Sequence, residues 1–452
     1  MTAGQVTDVE HMAASRPPRF YKQHLLVTNR RRFFREIVGE FGDLVYYRGL
    51  FDFYIVNHPA LVKRVLSETH RNFDKESPIY KRFRNALGVG LVNSEGEAWR
   101  RQRLMLQDTF RMRSVQGSFE VIVDCARQLV ERLRSVSAEG NAVRMSPEIQ
   151  KTALQVVGRA LFTFDFDPYS EQIGRWTRDI SNYSARLPIP VLSQTWSPTP
   201  SNFRLKRSLV EFRGFMEMMM EARAKQEPKE DLFGLLLSMR DNLREHGYSR
   251  EVIADEVLGM IVGGHETTAN AIAWALYEIS MRPEIRDRIL EEIDRLDESF
   301  DHSDLRELKF MQAVIDESMR LHPPFWFENR STRGTVELGA ETLTAGQLVV
   351  FSRDALHRNP RFWKSPESFD PDRFLSGSEE NSRTSYAYVP FGGGPRICIG
   401  RHFAMMEIVT VLVHLLRAYT FEYADETEPK VRVNLTIEPV NGLPFKVRPR
   451  SN

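Results

Sequence analysis

The chain has 452 residues, and its 62 lysines and arginines almost balance its 61 aspartates and glutamates, which leaves a net charge of +1. Charged residues make up 27% of the chain and apolar residues 42%, as in an ordinary soluble globular protein. This composition excludes a disordered or collagen-like chain and gives no reason to expect a nucleic-acid partner. The two cysteines, Cys125 and Cys398, exclude a disulfide scaffold and indicate a reducing compartment.

Residues 1–20 are polar and end at Pro17-Pro18, so we expect a loose N-terminal tail. They contain no apolar core typical of a signal peptide. No later segment approaches the roughly 20 consecutive apolar residues that span a bilayer. Residues 21–452 show no repeat or linker, which predicts one large domain. We therefore expect a cytoplasmic protein with no membrane anchor.

In chain order, the first predicted element is a β-hairpin of residues 44–47 and 53–56, and a helix follows Pro59. Nearly every periodic segment between residues 99 and 289 is helical. The longest covers residues 249–281 and would measure ~50 Å. Short strands (335–338, 342–343 and 348–351), a helix (401–416) and a last extended stretch (431–447) complete the chain. The pattern predicts a mainly α fold with a smaller β-sheet region, of the α+β class.

The most informative segment is the loop of residues 391–400, which contains Cys398 and opens the helix that follows. A cysteine just before a helix start meets free backbone N–H groups and the positive end of the helix dipole, and both favour a thiolate. The glycines let the backbone approach something flat and large, and Arg396 adds positive charge. A thiolate held in this way is a suitable axial ligand for haem iron. A buried, inert cysteine is the alternative for Cys398 alone.

The loop resembles the haem-binding signature of the cytochrome P450 family at each of its positions: Phe391, Gly394, Arg396, Cys398 and Gly400. Other motifs of the family occur elsewhere in the chain, in the family's order, so the resemblance extends from about residue 41 to the end. The resemblance implies the cytochrome P450 fold, with a long central helix over haem b and Cys398 as the iron ligand. It also implies O2 as cosubstrate.

Gly263-Gly264-His265-Glu266-Thr267 lies in the middle of the long helix. Two interior glycines weaken a helix by about 1 kcal/mol each and allow a ligand to approach the backbone. An adjacent acid and alcohol can relay protons, although a kinked helix with a solvated Glu266 and a Thr267 hydroxyl bonded back to the helix backbone is an alternative. The run resembles the family's oxygen-activation motif, which implies that Glu266 and Thr267 deliver protons and that Gly263 and Gly264 face the distal haem side. The resemblance gives His265 no role as an iron ligand.

Three residues match the family's structural charge motif: Glu317 and Arg320 on one helix face, and Arg373 in the segment after Pro371. The resemblance implies a buried triad that supports haem incorporation and is not catalytic. Trp99 and Arg103 match a pattern that binds the haem propionates. Arg396 is a second candidate for the propionates, and Arg330 a third, with Arg333 as the alternative to Arg330.

The family's substrate contacts fall on segments rich in apolar side chains, so we expect an apolar substrate. These segments are residues 79–92, the Pro-rich stretch from Leu187 to Leu192, residues 260–268, residues 324–327 and residues 435–437. The candidate pocket residues are Phe83, Leu91, Val262, Gly263, Phe325, Trp326 and Leu435, and packing in the core is the alternative for each aromatic one. Lys81, Arg82 and Arg84 are basic, and a solvated basic face explains them better than a substrate carboxylate site.

The sequence shows no flavin or ferredoxin domain. We therefore expect a separate ferredoxin or flavodoxin, with its reductase, to supply the electrons. We also expect the protein to be a monomer. A basic patch could steer such acidic carriers, and its candidates are Arg100, Arg101, Arg111, Arg113 and Arg401.

We predict a haem-thiolate monooxygenase that hydroxylates or epoxidises a terpenoid, fatty acid or polyketide-like natural product. The Glu266-Thr267 pair favours O2-dependent monooxygenation, because haem-thiolate lyases and isomerases commonly lack it. The alternatives are a haem-thiolate isomerase or dehydratase, and a haem protein that binds ligands without turnover.

Overall fold

The computed structural model describes residues 9–186, 196–227, 229–242, 249–378 and 384–450. The chain divides into two compact units. Unit 1 contains Met1–Tyr80 and Gln312–Ile399, and unit 2 contains Lys81–Met311 and Gly400–Asn452. Helices predominate and the sheets are small, so the predicted mainly α fold with a smaller β-sheet region is confirmed.

The α-helices of the described residues are α1 (Gln23–Thr28), α2 (Arg30–Phe41), α3 (Pro59–Lys63), α4 (Pro78–Leu87), α5 (Gly96–Leu106), α6 (Met112–Gln116), α7 (Phe119–Glu139), α8 (Met145–Phe162), α9 (Ser170–Ser184), α10 (Pro200–Ala224), α11 (Leu232–Asn242), α12 (Arg250–Ser280), α13 (Pro283–Ile293), α14 (Lys309–Leu321), α15 (Arg353–Leu356) and α16 (Arg401–Ala418). The strands are β1 (Leu44–Tyr47), β2 (Phe53–Val56), β3 (Phe73–Asp74), β4 (Ala142–Arg144), β5 (Phe327–Thr332), β6 (Val336–Leu338), β7 (Glu341–Leu343), β8 (Leu348–Ser352), β9 (Tyr419–Tyr423), β10 (Val431–Val433), β11 (Ile437–Pro439) and β12 (Pro444–Pro449).

Unit 1 is built on a five-stranded sheet in the order β1-β2-β8-β5-β3. Only the β2–β8 pair in this sheet is parallel. The predicted hairpin of β1 and β2 forms with Leu44 opposite Val56. The helix after Pro59 buries its apolar face in the same core, which contains Leu61, Val62, Val65, Leu66, Phe351 and Leu356. The apolar spacing of this helix therefore correctly indicated the face that packs inward.

The N-terminal residues that the structure describes are attached to unit 1, which differs from the prediction of a loose tail. The Ser15 N–H donates to the Leu44 carbonyl at 3.0 Å, and the Tyr46 N–H donates to the Ser15 carbonyl at 2.9 Å. Val9 and Ala14 are buried in the core of this unit. These hydrogen bonds cover part of the free edge of β1, whose backbone groups would otherwise lack partners.

Unit 2 is organised around α12, whose bounds lie within one residue of the predicted helix at each end. Ser249 caps its first turn, because the Ser249 hydroxyl accepts from the Val252 N–H at 3.4 Å. The helix is buried on most sides and packs against α8 and α16, as expected of a core helix. A three-stranded sheet (β4-β12-β9) and the β10–β11 hairpin belong to the same unit. No helix in the described ranges is both long and apolar enough to cross a membrane.

Glu317, Arg320 and Arg373 lie together in the interior of unit 1. Arg320 donates to both carboxylate oxygens of Glu317, at 2.7 and 2.8 Å, and neither side chain is exposed. Arg373 donates to Glu317 Oε1 at 3.2 Å. Arg320 also donates to the backbone carbonyls of His357 (2.9 Å), Pro366 (2.6 Å) and Ser368 (2.9 Å). The triad therefore ties α14 to the irregular segment that follows α15.

We expect Glu317→Ala to lower the free energy of unfolding by about 3–5 kcal/mol, because it leaves two buried guanidinium groups without their carboxylate. The matched control is Glu131→Ala, which removes an exposed partner of Arg134 at the same i, i+3 spacing and should cost at most about 1 kcal/mol. Thermal unfolding of both variants measures the difference. Equal losses would show that the triad does not stabilise the fold.

Candidate functional site

The loop of residues 391–400, the cysteine loop, closes on itself and exposes the thiol of Cys398. The Cys398 N–H donates to the Phe391 carbonyl at 2.9 Å, and the Ile397 N–H donates to the Gly394 carbonyl at 3.1 Å. Residues Gly394–Arg396 form a short 3₁₀ turn between these bonds. Cys398 is exposed, whereas Cys125 is buried. The loop therefore presents one sulfur atom on a backbone that is fixed on both sides.

Two glycines of the cysteine loop are required by close contacts within the protein. Gly394 has a φ of +64°, and a Cβ there would lie 1.9 Å from the Leu66 carbonyl oxygen. A Cβ on Gly393 would lie 2.5 Å from the Tyr386 ring. The prediction that the loop glycines admit a flat ligand is therefore incomplete, because these two let the loop pack against its own unit.

Arg330 projects from β5 into a buried cluster of charges in unit 1. It donates to Glu328 Oε1 and approaches the Tyr80 hydroxyl at 3.5 Å. Arg353 donates to Glu328 Oε2 at 2.6 Å. Despite burial, the neighbouring Arg330, Arg353 and Lys75 cations hold the pKa of Glu328 well below its usual range. Arg330 is therefore buried in a cluster of charged side chains around Glu328.

Arg333, the alternative to Arg330, occupies a different setting. Its side chain is exposed, and its Nε lies 3.7 Å from Asp74. An exposed pair of this kind gains little, and a bound anion there would compete with water. The two candidates thus differ in burial: Arg330 is buried and Arg333 is exposed.

One strip of α12 stays accessible although most of the helix is buried, and we call Gly263, Gly264 and Thr267 the accessible strip. Gly263 is exposed, while Gly264 and Thr267 are half-buried. A Cβ on Gly263 would meet nothing within 4 Å. The Thr267 hydroxyl donates to the Gly263 carbonyl at 2.5 Å. The strip offers bare backbone and one hydroxyl, which a large flat ligand or a small polar molecule could approach.

Glu266 is buried beside this strip, with 8% of its surface exposed. The Thr436 hydroxyl donates to Glu266 Oε1 at 3.1 Å. Burial and the nearby carboxyl of Glu438 raise the pKa of Glu266 to about 8, against opposing effects of Thr436 and Arg178. This acid can therefore carry a proton at neutral pH. The alternative is therefore wrong for Glu266, which is buried, but its back-bonded Thr267 is present in the structure.

His265 precedes Glu266 and is also buried, with 5% of its surface exposed. Burial lowers the pKa of this imidazole to about 4, so it is neutral at physiological pH. No group of three or more His, Cys, Asp or Glu side chains in the described ranges could hold a metal ion. Of the two cysteines, only Cys398 is exposed and could offer its sulfur to a metal ion.

Trp99 and Arg103, the other candidates for anion binding, lie one turn apart on α5 and are both half-buried. This helix spacing places the two side chains on one face. They belong to unit 2, as does the accessible strip, whereas Arg330, Arg396 and Cys398 belong to unit 1.

Two candidate pocket segments of unit 2 are fastened to α12. The N–H groups of Val89 and Leu91 donate to Asp255 and Glu256, each at 2.9 Å. The Leu435 segment reaches the same helix further along, through Thr436 and Glu266. Phe83, Leu91, Val262 and Leu435 are all largely buried. The structure thus brings the residue 89–91 and 435–437 segments to one helix.

The remaining residues predicted near the pocket lie in different surroundings. Arg82 is buried, donates to the Tyr183 carbonyl at 2.7 Å and stacks on the Tyr183 ring, so the predicted solvated basic face is wrong for this residue. Trp326 is buried against Phe34 and Phe327, in agreement with the core alternative, while Phe325 is half-buried. The predicted contact stretch from Leu187 to Leu192 lies outside the described residues.

Comparison with known proteins decides the family. The model of the family "Cytochrome P450" matches residues 17–443. The cyclooctat-9-en-7-ol 5-monooxygenase of Streptomyces melanosporofaciens is 32% identical over 82% of this chain and 81% of its own length. A putative cytochrome P450 132 of Mycobacterium tuberculosis is 29% identical over 86% and 87% of the two chains. The chloroplastic carotene epsilon-monooxygenase of Arabidopsis thaliana is 28% identical over 91% and 81%.

The chain belongs to the cytochrome P450 family. It is therefore an oxidoreductase of the haem-thiolate monooxygenase type, which uses haem b and O2. P450 enzymes act on apolar substrates and receive electrons from redox partners.

The residues of this P450 fit the cofactor. Bound haem would supply an iron that activates O2, and a thiolate ligand would donate electron density to that iron. Cys398 would hold the iron through its exposed sulfur. Within its own unit, the accessible strip of α12 contains two glycines, which have no side chains. The buried cations around Glu328 match the negative charge of haem propionates.

The sequence did not predict every residue that shapes this P450. Glu328 and Arg353 were missed, and Thr436 was predicted only as part of the contact segment 435–437, although each forms a buried polar contact at or beside a candidate residue. The available signal was a polar side chain inside a largely apolar or buried segment. Such a signal names no partner, because the partner is distant in sequence.

We expect Gly394→Ala to reduce haem incorporation and thermal stability strongly, because the new methyl group would overlap the Leu66 carbonyl in a left-handed backbone conformation. The control is Gly214→Ala on α10, where a Cβ meets nothing within 4 Å and alanine should add up to about 1 kcal/mol of helix stability. Haem content per protein and the unfolding temperature report the effect. A Gly394→Ala protein with normal values for both would contradict the tight packing of the cysteine loop.

Proposed function

We propose that this P450 inserts one atom of O2 into a terpenoid-like, apolar substrate by hydroxylation or epoxidation, and that Glu266 and Thr267 deliver the protons. The observation that carries the proposal is the pairing of a buried acid, whose pKa is raised to about 8, with the hydroxyl of the next residue on the accessible strip. A group with a pKa near the working pH can both hold and release a proton.

The stoichiometry of monooxygenation explains why such a pair is useful. One oxygen atom enters the substrate and the other leaves as water, so each turnover consumes two electrons and two protons. Glu266 is closed off from bulk water by burial and can keep its proton until it is needed. Thr267 lies half-exposed with its hydroxyl on the Gly263 carbonyl, where it can orient a polar guest on the strip. We therefore assign Glu266 as the proton store and Thr267 as the hydroxyl that orients the guest.

The substrate class is inferred from two lines of support. The candidate pocket residues that are buried beside α12 (Leu91, Val262 and Leu435) are apolar, which suits a hydrocarbon skeleton. The names of two relatives specify cyclooctat-9-en-7-ol and carotene, both rich in hydrocarbon. We therefore favour a terpenoid-like substrate over a fatty acid or a polyketide.

For the cofactor, we propose Cys398 as the axial ligand. Trp99, Arg103, Arg330 and Arg396 would bind the haem propionates, and Phe391, Gly400 and Gly264 would lie against the macrocycle. The burial of Arg330 beside Glu328 and Arg353 supports its choice over the exposed Arg333. The Glu317 triad would support haem incorporation indirectly, through the stability of unit 1.

We propose that a separate acidic carrier, a ferredoxin or flavodoxin, delivers the electrons. The five candidate arginines are all exposed: Arg100, Arg101, Arg111, Arg113 and Arg401. All belong to unit 2, in which α6 packs against α16. Exposed cations of this kind accelerate the approach of an acidic partner in a salt-dependent manner.

We expect Thr267→Ala and Glu266→Gln to slow product formation by about 10²-fold, because each removes a proton donor, while NADH consumption continues and hydrogen peroxide accumulates. The assay uses the holoenzyme with NADH, a reductase and a ferredoxin. The substrate is a terpenoid chosen because its binding shifts the spin state of the haem iron. Product, NADH and peroxide are quantified together.

Two controls accompany this assay. Thr267→Ser retains the hydroxyl and should retain most of the coupling. Glu407→Gln changes another fully buried carboxyl, whose pKa burial also raises, but it should leave coupling unchanged. Unchanged coupling in both Thr267→Ala and Glu266→Gln would overturn the assigned roles. Product formation without any electron donor would favour an isomerase or dehydratase instead.

A further inference from the structure

The turn between β10 and β11 touches α12 at Glu266. The Thr436 hydroxyl donates to Glu266 Oε1 at 3.1 Å, and Thr436 has 2% of its surface exposed. The other carboxyl oxygen, Oε2, is buried without a hydrogen-bond partner among the described residues. The two oxygens of this carboxyl group are therefore not equivalent. Oε1 accepts a hydrogen bond from a hydroxyl, and Oε2 remains available to carry the proton.

The turn that carries Thr436 is itself rigidly held. The Asn434 N–H donates to the Thr436 carbonyl at 3.0 Å. The Asn434 amide group donates to Glu438 Oε1 at 2.8 Å and to Asn182 of α9 at 3.2 Å. Further along α12, Trp274 Nε1 donates to the Ile437 carbonyl at 3.3 Å. These bonds fix the turn against α12, so the hydroxyl of Thr436 is presented to Glu266 in one position.

The charges around Glu266 come from two elements. The hydroxyl of Thr436 favours the carboxylate form, and so does the more distant cation of Arg178 on α9. Glu438, on the same hairpin as Thr436, and burial favour the protonated form. The preceding His265 contributes no charge at neutral pH, because burial keeps it neutral. The hairpin thus supplies two opposing influences on one acid, through a hydrogen bond and a like charge.

We propose that Thr436 is the positioning residue of the proton donor: its hydroxyl holds Glu266 Oε1 and leaves Oε2 as the atom that gives and takes the proton. When Oε2 releases its proton, the resulting carboxylate keeps the hydrogen bond from Thr436 on Oε1. The released proton ends in the water molecule formed at each turnover, and a later proton taken up at Oε2 restores the acid. The inference rests on the proposed role of Glu266 and extends it to a hairpin far away in the sequence.

Thr436→Val removes the hydroxyl with almost no change in shape. We expect it to raise the pKa of Glu266 by about one to two units, because a carboxylate loses a hydrogen-bond donor. The alkaline limit of product formation should shift upward equally, and product per NADH should fall at neutral pH. Thr436→Ser, which keeps the hydroxyl, should restore both. The pKa is read from the infrared band of the protonated carboxyl of the holoenzyme, assigned by its loss in Glu266→Gln.

Thr410→Val is the matched control, because Thr410 is equally buried on α16 and its hydroxyl has no partner in the described residues. It should change neither the band nor the coupling. Glu438→Gln is a second, independent variant and should lower the pKa of Glu266, since it removes the like charge. It keeps the proposal testable if Thr436→Val does not fold.

The outcomes separate this inference from the proposed function. If Glu266→Gln keeps normal coupling, the proposed function fails, whatever Thr436 does. If Glu266→Gln uncouples the enzyme but neither Thr436→Val nor Glu438→Gln moves the titration of the carboxyl, only the positioning role is wrong. A Thr436→Ser protein that behaves like Thr436→Val would also overturn it, because the hydroxyl would then be irrelevant.

Discussion

The exposure of one sulfur atom depends on how closely a loop can approach its own unit. Gly394 lies against the Leu66 carbonyl at a distance that no side chain permits, and this contact sets the course of the backbone from Phe391 to Cys398. The buried Glu317 triad stabilises the same unit from within. A free cysteine is usually buried and inert. In this protein, Cys398 is exposed in a loop whose Gly394 packs closely against Leu66.

The long helix α12 places a buried acid, Glu266, beside the accessible strip. Thr267 and the two glycines are open to a guest, whereas Glu266 lies a short step around the helix and is buried against Thr436. Because successive helical residues point in different directions, adjacent positions in the sequence can face an open space and an interior. An acid–alcohol pair therefore combines a protected proton with an exposed hydroxyl.

The sequence predicted those features whose signal lies within one continuous segment, but not those formed by contacts between distant residues. The ten residues of the cysteine loop and the bounds of α12 could be predicted, since a spaced motif and a long apolar run specify them. Strand β5 was missed because its polar residues, such as Glu328 and Arg330, are buried by charge pairing that is invisible in the hydropathy. The contact of Thr436 was missed for a similar reason: its partner Glu266 is remote in the chain. The N-terminal residues seemed loose because pairing with the edge of β1 leaves no trace in composition.

The central claim is that Cys398 is the thiolate ligand of a haem iron. Its most direct test is the difference spectrum of the reduced protein with and without carbon monoxide, recorded for the natural chain and for Cys398→His. We predict a strongly red-shifted Soret band in the natural protein and its loss in the variant, even if the variant retains haem. A natural protein that binds haem without this shift, or a Cys398→His protein that retains the shift, would contradict the account.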